Sequence, residues 1–125
     1  MMNSWLANLP QLKTKTNATN HLYMHPADAA ARGLDDGARV LVRNAHGAVE
    51  VPLRLSDDLL PGVVAMPHGW GQALTSGMRV AQRTPGANCN RLLPTGPGSF
   101  EPLSGQAHMT GVPVEVVAFD AVAAK

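Results

Sequence analysis

The sequence predicts a mainly β domain, and three observations carry that expectation. Gly and Pro together supply 12 plus 10 of the 125 residues, about 18% against roughly 12% on average, so turns and irregular loops dominate over long helices. Val40 and Val42 alternate with Arg39, Leu41 and Arg43, and Val49, Val51, Leu53 and Leu55 alternate with Glu50 and Arg54; period-two patterning of this kind marks half-buried strands. Pro52 interrupts the second of these runs. Proline has no N–H for a ladder, so the strand has an edge or a bulge there, and small closed barrels turn their corners with such bends.

At 125 residues and 13.1 kDa the chain is read as one domain, residues 1–125. It divides into a lead-in (1–23), a helix plus hairpin (24–67), loops (68–104), and a closing strand with tail (105–125). In the lead-in, Trp5, Leu6, Leu9 and Leu12 recur at helical spacing, which predicts a short amphipathic turn ending near Pro10 whose apolar face packs on something. A polar run from Lys13 to Asn20 follows, and Leu22 and Met24 share one face of a first strand.

A helix of about two turns begins at Pro26, where the missing N–H is not needed; Asp28 complements the helix dipole, Ala29 to Ala31 propagate the turn, and Gly33 ends it. Asp35, Asp36 and Gly37 supply turn chemistry before the hairpin. A four-residue loop from Asn44 to Gly47 sets Val42 opposite Val49 and Val40 opposite Val51, whereas a three-residue loop would set Val42 against Glu50. The valines select the longer turn. Ser56 is suited to cap one turn through Asp57, Asp58 and Leu59, and Pro61-Gly62 leads into a buried run from Val63 to Met66. Helix or turn, acidic pair, glycine and valine-rich strand thus occur twice, at 27–43 and 57–66, a faint internal echo of the kind a pseudo-symmetric barrel would leave. From Pro67 to about Ser104 the periodicity disappears, and an irregular segment of that length in a compact domain is a functional one unless it is disordered. Val112, Val114, Val116 and Val117 form the closing strand.

A net charge of +1 gives no global argument for nucleic acid as a partner. The charge is uneven: no acidic residue precedes Asp28, while Lys13, Lys15, His21 and His25 do. This basic lead-in suits an anionic ligand or a solvated arm equally. Cys89 is alone, which permits no disulfide and no Cys-x-x-Cys site and fits a reducing, cytoplasmic location. No apolar run approaches the length of a membrane span, and Met1 to Trp5 lacks the charged start and apolar block of a signal peptide.

Two clusters could carry chemistry. In Pro67-His68-Gly69-Trp70-Gly71 two glycines let backbone N–H groups approach a ligand beside an indole face, although a glycine turn around a packed Trp would read the same. In Asn88-Cys89-Asn90 each amide offers donors and an acceptor for the edge of a heterocycle, and the two point the same way only if the segment is extended; Asn is equally a turn residue. Phosphate-loop, Rossmann and zinc-helix motifs are missing, and His21, His25, His46, His68 and His108 show no metal-ligand pairing. Gly98-Ser99, the only bond that resembles a self-cleaving pyruvoyl precursor, sits in an ordinary Pro-Gly-Ser turn. The chain is therefore expected to bind, not to catalyse.

The series Met24 to Arg43, His46-Gly47, Leu60-Pro-Gly-Val-Val64, Pro67-His-Gly-Trp-Gly71, Asn90-Arg-Leu92, Glu101 to Gly105 and Pro113 to Val117 closely resembles the C-terminal molybdopterin-dinucleotide-binding domain of the molybdenum and tungsten oxidoreductases related to dimethyl sulfoxide reductase, formate dehydrogenase and nitrate reductase. The resemblance implies a double-psi β-barrel that helps to hold molybdopterin guanine dinucleotide, carrying molybdenum or tungsten, together with the remaining catalytic domains or a large subunit. It places Asn3, Ser4 and Trp5 on the family's N-terminal cofactor loop, and His68, Gly69, Trp70, Gly71, Gln82, Asn88 and Asn90 on the loops that face the cofactor. Thr110 or Gly111 stands where some relatives place a contacting Lys or Asn. The Cys cluster for an iron–sulfur centre and the metal-ligating position are missing, so the chain alone is expected to perform no redox catalysis, and the formate-dehydrogenase-like branch is the nearest in texture. The reading from a different class is a double-psi barrel used as an adaptor, as in the N-terminal domains of certain AAA ATPases.

Overall fold

The structure is a computed structural model that describes residues 5–15 and 18–120. Its centre is one curled, mixed sheet of five strands: β1 (Leu22–Met24), β2 (Arg39–Arg43), β3 (Ala48–Leu55), β4 (Val64–Ala65) and β5 (Glu115–Ala118), in the order β4-β1-β3-β2-β5. β2 and β3 are antiparallel with Val42 opposite Val49 and Val40 opposite Val51. This is the register that the four-residue loop predicts, and Asn44 closes the loop by donating its N–H to the Gly47 carbonyl at 2.9 Å.

The curl has a local cause. β3 pairs with β2 through Ala48–Pro52 and with β1, in parallel, through Leu53–Leu55. Pro52 stands at the handover. The Asn44–Gly47 and Leu53–Ala38 bonds alternate along the antiparallel ladder, which puts Pro52 in a non-hydrogen-bonded position towards β2, where its missing N–H is no loss. The expected bulge falls beside it on the other strand. Gly37 donates to the Leu53 carbonyl at 2.9 Å while Leu53 donates to Ala38 at 2.8 Å, two residues against one, with Gly37 at φ +81°. A glycine in the left-handed region at the first bulge position is the arrangement that increases local twist.

Helix α1 (Pro26–Ala31) starts and stops for identifiable reasons. The His25 imidazole Nδ1 accepts the Ala27 N–H at 3.1 Å, a cap that the sequence reading did not include. At the other end Leu34 donates to Ala29 and Gly33 to Ala30, with Gly33 at φ +64°, which satisfies carbonyls that would otherwise be orphaned. Leu34 is thereby turned inward and buried. Asp28 does more than complement the dipole, because its carboxylate accepts the Gly62 N–H at 2.6 Å and fixes the turn before β4.

The core consists of Leu22, Met24, Ala29, Leu34, Val40, Val42, Val49, Val51, Leu53 and Val116, closed from the loop side by Ala87 and Leu92. Full burial of each large side chain contributes about 1.5–3 kcal/mol. A smaller cluster joins Ala7, Met78 and Ala81. Among the described residues no helix is long and apolar enough to cross a membrane.

Four expectations are corrected. The lead-in forms two 3-10 turns, Leu6–Asn8 and Pro10–Leu12, and the residue it buries is Ala7; Trp5, Leu6, Leu9 and Leu12 are 78%, 40%, 44% and 40% exposed. A 3-10 turn has three residues per turn, so side chains at helical spacing do not gather on one inward face. Ser56 caps the expected turn through the Asp58 N–H, but the closing strand is shorter than expected: β5 begins at Glu115, and Val112 and Val114 precede it. The run Val63 to Met66 alternates, with Val63 and Ala65 exposed and Val64 and Met66 half-buried, because β4 lies at the sheet edge. The segment from 67 to 104 is not wholly irregular, since it contains helix α2 (Arg79–Arg83) and a 3-10 turn at Cys89–Leu92.

Candidate functional site

The loops between β4 and β5 fold over one side of the sheet, and Asn20 ties them to the start of β1. Its amide donates to the Pro67 carbonyl at 3.1 Å and to the Ala87 carbonyl at 2.9 Å, and its oxygen accepts the Ala87 N–H at 2.8 Å. Asn20 is buried, so each of these groups would otherwise be dry and unpaired. Between the two tied segments lies Trp70, 8% exposed, with Gly71 donating to the Pro85 carbonyl at 2.6 Å.

Two glycines let these strands of chain touch. A Cβ on Gly86 would stand 2.7 Å from both the Trp70 ring and the Asn20 oxygen. One on Gly71, at φ +110°, would overlap the Asn88 side chain. Trp70, Gly71 and Asn88 are therefore brought into one contact group, with Gly69 alongside it, where its carbonyl accepts from Gln72 at 2.8 Å. His68 is exposed at the rim.

Asn88 and Asn90 do not extend as a parallel pair of amides. Asn88 folds its oxygen back to accept the Asn90 N–H at 3.1 Å and caps the 3-10 turn, while Asn90 itself is exposed. Gln82 lies in α2, exposed, and donates to the Thr75 carbonyl at 2.7 Å. That helix exists through a tertiary cap, because Asn8 accepts the N–H groups of Val80 and Ala81 at 3.0 and 3.3 Å. Gln82 is thus grouped with the lead-in turn that follows Trp5, apart from the Trp70–Asn88 group. Asn3 and Ser4 lie outside the described residues.

The sequence reading missed Asn20, Gln72 and Thr84 in this layer, and named Lys13 only as part of a basic lead-in suited to an anionic ligand or a solvated arm. Lys13 places its Nζ 4.4 Å from the Trp70 ring centroid. Burial lowers its pKa. Lys13 Nζ, Gln72 Oε1 and Thr84 Oγ1 are all removed from solvent and have no hydrogen-bond partner among the described residues. The available signal was the charge pattern. Residues 1–27 and 59–100 contain no Asp or Glu, yet hold Lys13, Lys15, Arg79, Arg83 and Arg91; the nine carboxylates lie in 28–58 and 101–120. The loop layer is consequently cationic and the sheet side carries the acids.

Thr110 and Gly111 line a separate open cavity of about 300 Å³ with His46, His108 and Asn44. Asn44 is structural there: its amide donates to Leu92 at 2.7 Å and Pro113 at 3.3 Å, and its oxygen accepts from His46 and Gly47. The Cys89 thiol has its pKa raised by burial. Among the described residues no three His, Cys, Asp or Glu side chains could hold a metal ion.

A curled sheet covered by a cationic loop layer, with an indole, amides and buried unpaired polar atoms but no metal cluster among the described residues, defines a ligand-binding β domain. The chain belongs to the molydopterin dinucleotide binding domain family, whose model matches residues 1–113. It is 41% identical over 69 residues to a Halobacterium salinarum protein named as a catalytic subunit of dimethyl sulfoxide reductase, a match that spans 55% of this chain and 8% of that protein. Dimethyl sulfoxide/trimethylamine N-oxide reductase of Rhodobacter capsulatus is 41% identical over 46 residues, 37% of this chain and 6% of the relative. The chain thus matches well under a tenth of the length of these relatives. Acetylene hydratase from Pelobacter acetylenicus shares the fold, with a TM-score of 0.68 over 88% of this chain and 16% of that one at 19% identity.

Proposed function

We propose that this chain holds a molybdopterin guanine dinucleotide within a molybdenum or tungsten oxidoreductase, as its C-terminal domain or as a small subunit, and that its 67–92 loops face the cofactor. The observation that carries the reading is Lys13 Nζ, buried beside the Trp70 ring and, like Gln72 Oε1 and Thr84 Oγ1 of the same loop layer, without a hydrogen-bond partner among the described residues, in a layer without carboxylates. A group of this class presents phosphate oxygens and heterocyclic N–H and carbonyl edges, which ask for cations, amides and stacking faces. When bound, the metal centre supplies the redox chemistry. The chain's own part is binding and orientation: Gly69 and Trp70 offer backbone N–H groups, the Gly71 N–H being taken by the Pro85 carbonyl and the Trp70 ring packed beneath Lys13, and Asn88, Asn90 and Gln82 offer amides.

The half-barrel sheet is in this reading part of a double-psi barrel, supported by the parallel β1–β3 pair and the bulge that curls it. The motif texture supports the formate-dehydrogenase-like branch as the narrower assignment. The exposed Trp5, Leu6, Leu9 and Leu12 suit contact with the remaining catalytic domains. The test is reconstitution with those domains, followed by quantification of released guanine nucleotide and metal. Trp70→Ala and Asn90→Ala should each reduce cofactor retention by about tenfold or more relative to wild type; undiminished retention in both would remove the site assignment.

A further inference from the structure

We propose that Lys13 is a mobile anion receptor, parked against the Trp70 indole and drawn off it by the bridging pyrophosphate of a nucleotide-type ligand. The proposal rests on the cofactor-binding reading only for the identity of that ligand.

An ammonium has three N–H donors, and a buried one without acceptors or a counter-ion is costly. Lys13 Nζ is shielded from solvent, makes no hydrogen bond to any described residue, and faces the Trp70 ring at 4.4 Å. The ring's electron density replaces only part of the lost hydration. No carboxylate among the described residues completes the site. Desolvation is the one cause that shifts the Lys13 pKa, with no acidic neighbour opposing it, and neither 1–27 nor 59–100 contains an Asp or Glu that could pair with it. A charge left incomplete within the protein is one that an outside anion can complete.

Two further unpartnered groups lie in the loop layer that carries Trp70. The Thr84 hydroxyl is buried and unpaired among the described residues immediately before Pro85, whose carbonyl takes the Gly71 N–H, so a rotating O–H donor lies in the segment that holds the Trp70 loop. Gln72 Oε1 is buried and accepts nothing from the described residues, and its orientation is fixed because its amide nitrogen donates to Gly69. That oxygen calls for an N–H donor. Anionic oxygens and ring N–H donors in one ligand describe a heterocycle carrying phosphates. Access to Lys13 is through its own stem: the residue is only half-buried, so rotation of its side-chain bonds carries Nζ from the indole face to the surface.

The experiment is titration of the whole 125-residue chain with inorganic pyrophosphate, following the Trp70 indole N–H by NMR. Saturable movement of that signal is expected. Affinity should fall at least tenfold in Lys13→Met, stay within threefold of wild type in Lys13→Arg and Lys15→Met, and be at least tenfold weaker for orthophosphate. The β2–β3 amide signals report that each variant is folded. Absence of saturable movement, an unchanged affinity in Lys13→Met, an equal loss in Lys13→Arg or Lys15→Met, or equal affinity for orthophosphate would each overturn the proposal. Failure of cofactor retention to depend on Trp70 and Asn90, with pyrophosphate binding intact, would sink the functional reading and leave the Lys13 site standing.

Discussion

Asn20 spends its whole amide on two loops that are 47 and 67 residues away in sequence. Asn20→Ala leaves the Ala87 N–H and the Pro67 and Ala87 carbonyls without partners in a buried place, so the loss should be about 3 kcal/mol, at about 1–3 kcal/mol for each orphaned group partly offset by water entry. Urea unfolding monitored by circular dichroism reads it directly, and a loss under about 1 kcal/mol would show that the loops are held by other contacts. Glycines separate strain from crowding in the same way. Gly33 needs its positive φ, but a Cβ there would meet nothing within 4 Å, so Gly33→Ala should cost only the left-handed penalty of about 1–2 kcal/mol. Gly71→Ala adds a collision with Asn88, and the expected result is displacement of the Trp70 loop, seen as a shift in indole fluorescence that Gly33→Ala does not produce. The left-handed turn at Gly33 was legible as the end of α1, but the ties made by Asn20 and the close contact at Gly71 were not. Asn20 sits at the end of a polar run, where it looks like any linker residue, because the partners that give it a role are set by tertiary contact.

The elements were legible where one local rule governed them. Valine alternation fixed the β2–β3 register, and Pro26 with Gly33 bounded α1. Elements created by distant contacts were not. Helix α2 has five residues and no side-chain cap of its own, and exists because Asn8 supplies acceptors from the far end of the chain. The lead-in failed for another reason: spacing that suits an α-helix was read onto a segment that Pro10 breaks into two 3-10 turns. The handover at Pro52 and Leu53 makes an element-scale prediction. Leu53 is 1% exposed and joins both ladders, so Leu53→Ala should cost about 2–5 kcal/mol and shorten the β1–β3 pairing as well as the core. The 101–106 turn gives a pH prediction. Glu101 accepts the Leu103 and Ser104 N–H groups at 3.0 and 2.6 Å, and these bonds hold its carboxyl below the usual range. A depressed folded pKa gives stabilisation that is present above the ordinary glutamate value and lost as pH falls through the folded one. Amide exchange at Leu103 and Ser104, corrected for intrinsic rates, should therefore accelerate at the acid end, and Glu101→Gln should remove most of that dependence.

At the scale of the molecule, apolar contacts and charge divide the chain along the same line. The sheet holds the main core and its cross-strand ion pairs, Arg39 with Glu50 and Arg43 with Glu115, while the loop layer carries unopposed cations and only Trp70, Ala87 and Leu92 as buried apolar anchors between Pro67 and Ser104 outside the small Ala7–Met78–Ala81 cluster. Opening of a layer costs what it buries, so the two should exchange hydrogen at different rates. The Val40, Val42, Val49 and Val51 amides should be the slowest to exchange, and those of 96–111, where Leu103 is 97% exposed and Phe100 47%, among the fastest. Like charges repel across the loops, and salt screens that repulsion over about 8–10 Å at ordinary ionic strength. Raising the salt concentration should consequently slow exchange in the loops and leave the β2–β3 amides unaffected. Pyrophosphate should do the same at far lower concentration, because it supplies the missing negative charge at one place instead of screening from solution. Equal effects of the two on the loops at equal ionic strength would mean that the layer is cationic without being built for an anion.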